Sequence, residues 1–135
     1  MTIISEDGYR YVDIGTSDIL FSVYSTIHKM LEDRKDELSH ALAFLKSGEC
    51  HPSYALTTAR ELNKARDYLA AVPPQSAVYN ELQTEIDPPW KDKISPVVTS
   101  CANLFTTADG KDLFFELVSI LYYSHLNNNS VVIAG

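Results

Sequence analysis

Cysteine, long apolar runs and clusters of basic residues are scarce in this sequence, and each scarcity excludes a class of protein. The two cysteines, Cys50 and Cys101, follow neither a paired nor a metal-finger spacing, which argues against a disulfide-rich scaffold and a zinc finger. Two cysteines fit a reducing compartment, and a single disulfide between them is also compatible with the sequence. The most apolar stretch, residues 113–123, is interrupted by Glu116 and is too short to span a bilayer.

The start of the chain does not predict a targeting signal. A secretory signal peptide needs a basic start followed by an apolar core. Here Met1 to Gly8 is mildly apolar and then acidic, and no basic residue precedes Arg10. We therefore expect a cytoplasmic protein that has no membrane partner.

Basic residues are outnumbered by acidic ones, 11 Lys and Arg against 18 Asp and Glu, which gives a formal net charge of −7. The basic residues are scattered, and no run is longer than Arg34-Lys35. Proteins that grip nucleic acid concentrate Lys and Arg along one face, so we do not expect direct nucleic-acid binding. An acidic balance favours solubility, and it also suits a basic protein partner because complementary fields speed and orient docking.

Length and composition indicate one globular domain. The chain has 135 residues, of which 45% are hydrophobic and 21% charged, and this is ordinary for a single folded unit. No internal repeat, low-complexity tract or linker divides it. We predict an α+β domain in which several amphipathic helices pack on a small β-sheet, with the strands mostly at the two ends of the chain.

The N-terminal region predicts a strand followed by a helix. Residues 9–14 are rich in β-formers and end at Gly15, which is typical of a first strand. Ser17 is the predicted N-cap of a helix. Its apolar residues recur at helical spacing from Leu20 to Leu31, which gives the helix one buried stripe.

Two further helices are predicted before the middle of the chain. Residues 38–45 repeat the helical apolar pattern, and Gly48 is placed to end that helix. Ser53 is the predicted cap of the next helix. This third helix must stop before Pro73-Pro74, because proline cannot continue it.

The second half of the sequence is less regular. Residues 77–82 and 104–107 carry β-branched and aromatic side chains, so each predicts a short strand. Ser95-Pro96 resembles an N-cap followed by proline at the first helical position, which predicts a brief helix.

The end of the chain predicts a helix and a strand. Asp109 is the predicted cap of the last helix, whose apolar stripe runs from Leu113 to Ser124. The asparagines at 127–129 break this helix, and residues 130–134 predict a terminal strand.

Histidine and cysteine offer the main candidates for chemistry. Cys50-His51 invites interpretation as a nucleophile and base or as metal ligands, but adjacent residues rarely point at one reacting atom and no zinc-type spacing accompanies them. His28, His40 and His125 fall on predicted helices with no spacing that brings them together. Phosphate-binding glycine loops and hydrolase elbows are absent. We therefore expect no catalytic, cofactor-binding or metal-binding residues.

Acidic residues surround the single tryptophan in a predicted loop. Glu81, Glu85 and Asp87 precede Trp90, and Asp92 follows it. A tryptophan among carboxylates suits a binding hot spot, because aromatic anchors contribute much of the energy at interfaces. The alternative is a tryptophan that closes the edge of the core, and one indole can do both.

Residues 72–114 contain six short motifs in a definite order. In that order they resemble a family of bacterial immunity proteins, the group described as immunity protein 70, which are encoded beside polymorphic or contact-dependent growth inhibition toxins. The N-terminal region agrees only in the order of strand, glycine and helix. The motifs are Val72-Pro73-Pro74, Val78-Tyr79, Pro88-Pro89-Trp90, Ile94-Ser95, Asn103-Leu104-Phe105 and Thr107-Ala108-Asp109-Gly110-Lys111-Asp112-Leu113-Phe114.

The resemblance implies that residues 1–135 form one immunity-protein-like domain that binds a cognate toxin C-terminal domain and catalyses nothing itself. Toxins of such systems are often nucleases, whose substrate-binding surfaces are basic, so an acidic inhibitor fits the charge. We expect the toxin-binding face to include the following residues: Glu81, Glu85, Asp87, Trp90 and Asp92.

Two other classes of function stay open at the level of sequence. The first is a small enzyme whose site assembles from distant His, Asp and Cys residues, which a bound metal or turnover in a substrate screen would favour. The second is a regulatory adaptor, which copurification with a nonsecreted partner would favour. A neighbouring gene for a large secreted protein ending in a toxin domain favours the immunity protein instead.

Overall fold

The computed structural model describes residues 1–134. Strands from the two ends of the chain form a small sheet, and the helices lie between these strands in the sequence. The strands are β1 (Thr2–Ser5), β2 (Tyr11–Asp13) and β3 (Val131–Ala134). The α-helices are α1 (Ser17–Met30), α2 (Ser39–Ser47), α3 (Pro52–Leu69) and α4 (Leu113–Asn127). Two 3-10 helices, Glu32–Glu37 and Pro74–Ser76, follow α1 and α3 respectively.

The sheet is antiparallel throughout, with the strand order β2-β1-β3. In this register Ile3 of β1 lies opposite Val12 of β2 and Ile133 of β3. The predicted α+β class is therefore confirmed, as is the terminal strand. The strand predicted at residues 9–14 is β2, which is shorter than predicted. Strand β1 was not predicted.

The hydrophobic core lies between one face of the sheet and the helices. Ile3, Val12 and Val131 are buried on that face, whereas Tyr11 of β2 is exposed on the other. Helix α3 packs along α4, and α2 packs against both α1 and α3. Phe44 is among the largest side chains that are fully buried. Each such side chain contributes about 1.5–3 kcal/mol through burial.

Two predicted N-caps are wrong at the level of the individual residue. Helix α1 has Thr16 at its N-cap and begins at Ser17, with no side-chain bond closing the cap. In α3 the N-cap is His51, whose Nδ1 accepts the Ser53 backbone N–H at 3.1 Å. Pro52 occupies the first helical position, where its missing N–H costs nothing.

The start of α4 also differs from the prediction. Its N-cap is Asp112, whose Oδ1 accepts the Phe115 N–H at 3.0 Å. Asp109 lies instead in a preceding turn, where Gly110 has a φ of 85° and Thr107 N–H donates to the Lys111 carbonyl at 2.8 Å. Helix α4 therefore begins only after this turn, at Leu113.

The predicted helix ends are confirmed. Gly48 ends α2 in the left-handed region at φ 75°, which glycine adopts without a Cβ penalty. Asn128 follows α4 at φ 49°, a conformation that asparagine tolerates better than most residues.

Between Ser76 and Leu113 the structure contains turns but no strand or α-helix. We call residues 77–112 the long loop. The strands predicted at 77–82 and 104–107 and the helix predicted after Ser95 are therefore wrong. Thr106 makes only an isolated bridge with Asp112. Exposed loops of this length inside compact domains are commonly functional.

Candidate functional site

Buried hydroxyl groups of α1 hold the start of the long loop. Thr26 Oγ1 accepts the Val78 N–H at 3.0 Å and donates to the Val78 carbonyl at 3.1 Å. Ser22 Oγ donates to the Tyr79 carbonyl at 2.8 Å. The loop forms no strand here, and its backbone hydrogen bonds go to helix side chains instead of a neighbouring strand.

Glu81 is engaged by α1 and is not a free surface carboxylate. Its Oε2 lies 2.7 Å from Nδ1 of His28, and its backbone N–H donates to Ser25 Oγ at 3.2 Å. The Glu81 side chain is only 9% exposed. Glu81 is one of the five residues predicted to contact a partner. In the structure it fixes the long loop to α1 instead of lying free on the surface.

Sequence reasoning missed this attachment. The usable signal is a polar stripe on α1, in which Asp18, Ser22, Ser25 and Thr26 recur at helical spacing beside the apolar stripe. Side chains three and four positions apart share a helix face. A row of buried hydroxyls indicates that a segment without regular structure packs there, because buried polar groups are almost always hydrogen-bonded.

Trp90 lies at the edge of the core. Its ring packs edge-on against Tyr79 and Phe105, with centroids 5.7 Å and 5.8 Å away. One side of the indole lines a shallow groove of about 280 Å³ together with Ile19 and Lys93. The ring is therefore held rigidly while part of it faces an open groove.

The remaining predicted residues lie on the exposed part of the long loop. Glu85, Asp87 and Asp92 are all exposed. Asp87 pairs with Lys91 at 3.1 Å, and both side chains are largely in solvent, so this pair contributes little to stability. Glu85 and Asp92 form no salt bridge with the described part of the chain.

A separate groove of about 370 Å³ brings His40, Cys50 and His51 together. In both histidines of this groove Nδ1 already has a hydrogen-bond partner. Nδ1 of His40 lies 2.9 Å from Glu61 Oε2, and Nδ1 of His51 lies 2.7 Å from Ser53 Oγ. His28 and His125 lie elsewhere, on α1 and α4. Within residues 1–134, no three His, Cys, Asp or Glu side chains gather in a way that could hold a metal ion.

The two thiols are buried and free, so they form no disulfide. Cys50 Sγ lies 3.4 Å from the His51 carbonyl and 3.7 Å from Thr58 Oγ1. Burial raises the pKa of the Cys50 thiol, and it raises the pKa of Cys101 to about 11. Both cysteines therefore stay protonated near neutral pH, and a protonated thiol is a poor nucleophile.

None of the helices formed by residues 1–134 has the length and apolarity needed to cross a bilayer.

A long exposed loop held by a rigid scaffold is a common way to present a binding surface. The chain matches the family model described as Immunity protein 70 over residues 6–133, and it belongs to that family. The resemblance seen in residues 72–114 is thereby confirmed and extends over nearly the whole chain. Comparisons with curated proteins and with solved structures give no match.

Proposed function

We propose that this protein binds the toxin domain encoded beside it and neutralises it by direct protein–protein inhibition, and that the toxin is a nuclease. The observation that carries the proposal is the family match over residues 6–133. The protein would act by binding the toxin and would catalyse no reaction itself. A toxin that attacks nucleic acid acts inside the cell, so the proposed role is a cytoplasmic one.

Charge supports a nuclease as the target. The surface with which a nuclease holds its substrate must be basic, because nucleic acid carries dense negative charge. The net charge of this chain is −7. An acidic inhibitor is steered towards such a surface, and complementary charge fixes the orientation in which the two proteins dock.

The long loop is the proposed toxin-binding surface. Protection from a catalytic toxin needs tight binding, and nanomolar affinity corresponds to about −12 kcal/mol. Such affinity usually depends on a desolvated aromatic anchor with complementary charges around it. Trp90 supplies the anchor, and Glu85, Asp87 and Asp92 supply the charges. Glu81 contributes by holding the loop against His28 of α1.

Coexpression tests the proposal. The toxin C-terminal domain from the neighbouring gene is expressed in a bacterial host with and without this chain. We expect growth arrest by the toxin alone and recovery when the chain is present. Calorimetry with a catalytically inactivated toxin domain should then give a dissociation constant in the nanomolar range. Arrest that persists despite soluble, folded chain would refute neutralisation.

A further inference from the structure

The outer edge of β2 is open. The Ser5 N–H donates to the Arg10 carbonyl, and the Ile14 N–H donates to the Met1 carbonyl. Along an antiparallel edge strand, residues whose backbone groups bond to the neighbouring strand alternate with residues whose backbone groups face outward. The backbone groups of Val12 therefore face β1, and those of Tyr11 and Asp13 point away from β1.

The long loop covers only one end of this edge. The Ala108 N–H donates to the Asp13 carbonyl at 2.9 Å. Neither the N–H nor the carbonyl of Tyr11 has a partner among residues 1–134. Beside them lies a groove of about 250 Å³, whose lining includes Tyr9 and Glu116 of α4. We call this the β2 groove.

Exposed aromatic rings flank the open edge. Tyr9 is 75% exposed and Tyr11 is 67% exposed. Proteins usually protect a free strand edge with lysine, proline or a covering segment, because an unpaired edge accepts another strand. Two solvent-facing tyrosines give no such protection. They are instead residue types enriched where proteins bind one another.

The unbalanced charge in the β2 groove is negative. Lys111 pairs with Asp109 at 3.5 Å, and the Arg10 guanidinium stacks over the Tyr123 ring at 5.2 Å. Asp13 and Glu116 also line the groove, and neither has a salt-bridge partner in the described part of the chain. Three acidic and two basic side chains line the groove, so its net formal charge is −1, and its Asp13 and Glu116 carboxylates and its two tyrosine faces attract arginine and lysine.

We propose that the β2 groove binds an extended, arginine- or lysine-containing segment of the toxin, which adds to the sheet as a strand next to Tyr11. Adding a strand to an open edge is a common way of recognising an extended segment. A second copy of this chain is a poor occupant, because it would bring further negative charge to the same carboxylates. This inference rests on the proposed function and adds a second contact to the one made by the long loop.

The first test reverses the charge in the groove. Glu116→Lys is compared with Glu32→Lys, which makes the same charge change at an exposed position of the first 3-10 helix. With the inactivated toxin domain as the probe, we expect Glu116→Lys to weaken binding at least tenfold and Glu32→Lys to change it less than threefold. Equal affinities for the two variants, with wild-type binding intact, would overturn the inference.

The second test measures strand addition itself. The Tyr11 amide points outward, so it should exchange with solvent quickly in the free protein. We expect it to become protected in the toxin complex, while the Val12 amide, already paired with β1, changes little. A Tyr11 amide that stays unprotected in a saturated complex would also overturn the inference.

Sedimentation of the free variants completes the test. If Glu116→Lys alters self-association and leaves toxin affinity unchanged, the groove joins copies of this chain and the inference is wrong. Wild-type protein that fails to bind the toxin at all would refute the proposed function first, so the two failures can be told apart.

Discussion

Arg66 and Asp112 join the end of α3 to the start of α4. The Arg66 guanidinium donates to Oδ2 of Asp112 at 3.0 Å, while Oδ1 of the same carboxylate accepts the Phe115 N–H. One side chain therefore caps a helix, pairs two helices and closes the long loop. The turn around Asp109 precedes this junction, and the Asp109 side chain contacts Thr107 and Lys111 of the same turn.

Removing the Asp112 carboxylate should destabilise the protein. We expect Asp112→Ala to lower the free energy of unfolding by about 1–2 kcal/mol, the usual cost of losing an N-cap. Asp112→Asn keeps a capping oxygen and should cost less. Urea denaturation measures both. Asp109→Ala is the control, and if it costs as much as Asp112→Ala, the assignment of the cap to Asp112 is incorrect.

The Thr26 hydroxyl should be needed to hold the long loop. Thr26→Val keeps the shape but leaves the Val78 N–H and carbonyl without their partner, which costs about 1–3 kcal/mol when such groups are buried. We expect lower stability in urea and faster exchange of the Val78 amide. Thr58→Val is the matched control, because the Thr58 hydroxyl donates within its own helix, to Tyr54. Equal effects would contradict a special role for Thr26.

Charge reversal on the long loop should weaken toxin binding. We expect the double variant Asp87→Lys, Asp92→Lys to lose roughly tenfold or more in affinity, mainly through slower association, because exposed charges steer encounter. The difference should shrink as salt is added. Stopped-flow association measures it. The control is Asp33→Lys, Asp36→Lys on the first 3-10 helix, and unchanged affinity in the loop variant would exclude this surface.

Asp7 and Tyr123 should make stability depend on pH at both extremes. The Tyr123 hydroxyl donates to Asp7 Oδ2 at 2.6 Å, and this bond together with one from Ser5 lowers the pKa of Asp7 below 3.8. A lowered folded-state pKa contributes stability that is present above pH 3.8 and is lost as the pH falls through the folded-state pKa. The same bond raises the pKa of Tyr123 above 10.0, so its contribution is lost as the pH rises.

Tyr123→Phe tests this dependence. The ring stays available for Arg10, but the hydroxyl bond is gone. The difference in unfolding free energy between wild type and variant should be constant from about pH 5 to 8 and should shrink in acid and in strong base. Tyr122→Phe, in which the lost hydroxyl has no hydrogen-bond partner among residues 1–134, should give no pH-dependent difference. A flat difference for Tyr123→Phe as well would contradict the pairing.

The helices could be predicted because their signal is local. The stripe from Leu113 to Ser124 determines which face of α4 is buried, and Gly48 ends α2 as its type requires. Strand β1 could not be predicted in the same way. Its two apolar residues, Ile3 and Ile4, become a strand only by pairing with β2 and with β3 from the opposite end of the chain.

The long loop shows where local propensity fails. Val78 and Tyr79 favour strand structure, but α1 hydroxyls take the hydrogen bonds that a strand partner would need, and no strand forms. Asp109 looks like a cap because it precedes an apolar stripe, yet the turn at Gly110 delays the helix to Leu113. The pairing of Glu81 with His28 depends on packing between distant segments, so no spacing in the sequence indicates it.

The attachment of the long loop through backbone groups has a practical consequence for protein engineering. The hydroxyls of Ser22 and Thr26 hold the loop by its main chain, so they do not depend on which side chains the loop carries further along. Exposed positions such as Glu85, Asp87 and Asp92 can be exchanged together at little cost to folding. A library confined to these positions would search for inhibitors of other toxins on an unchanged scaffold.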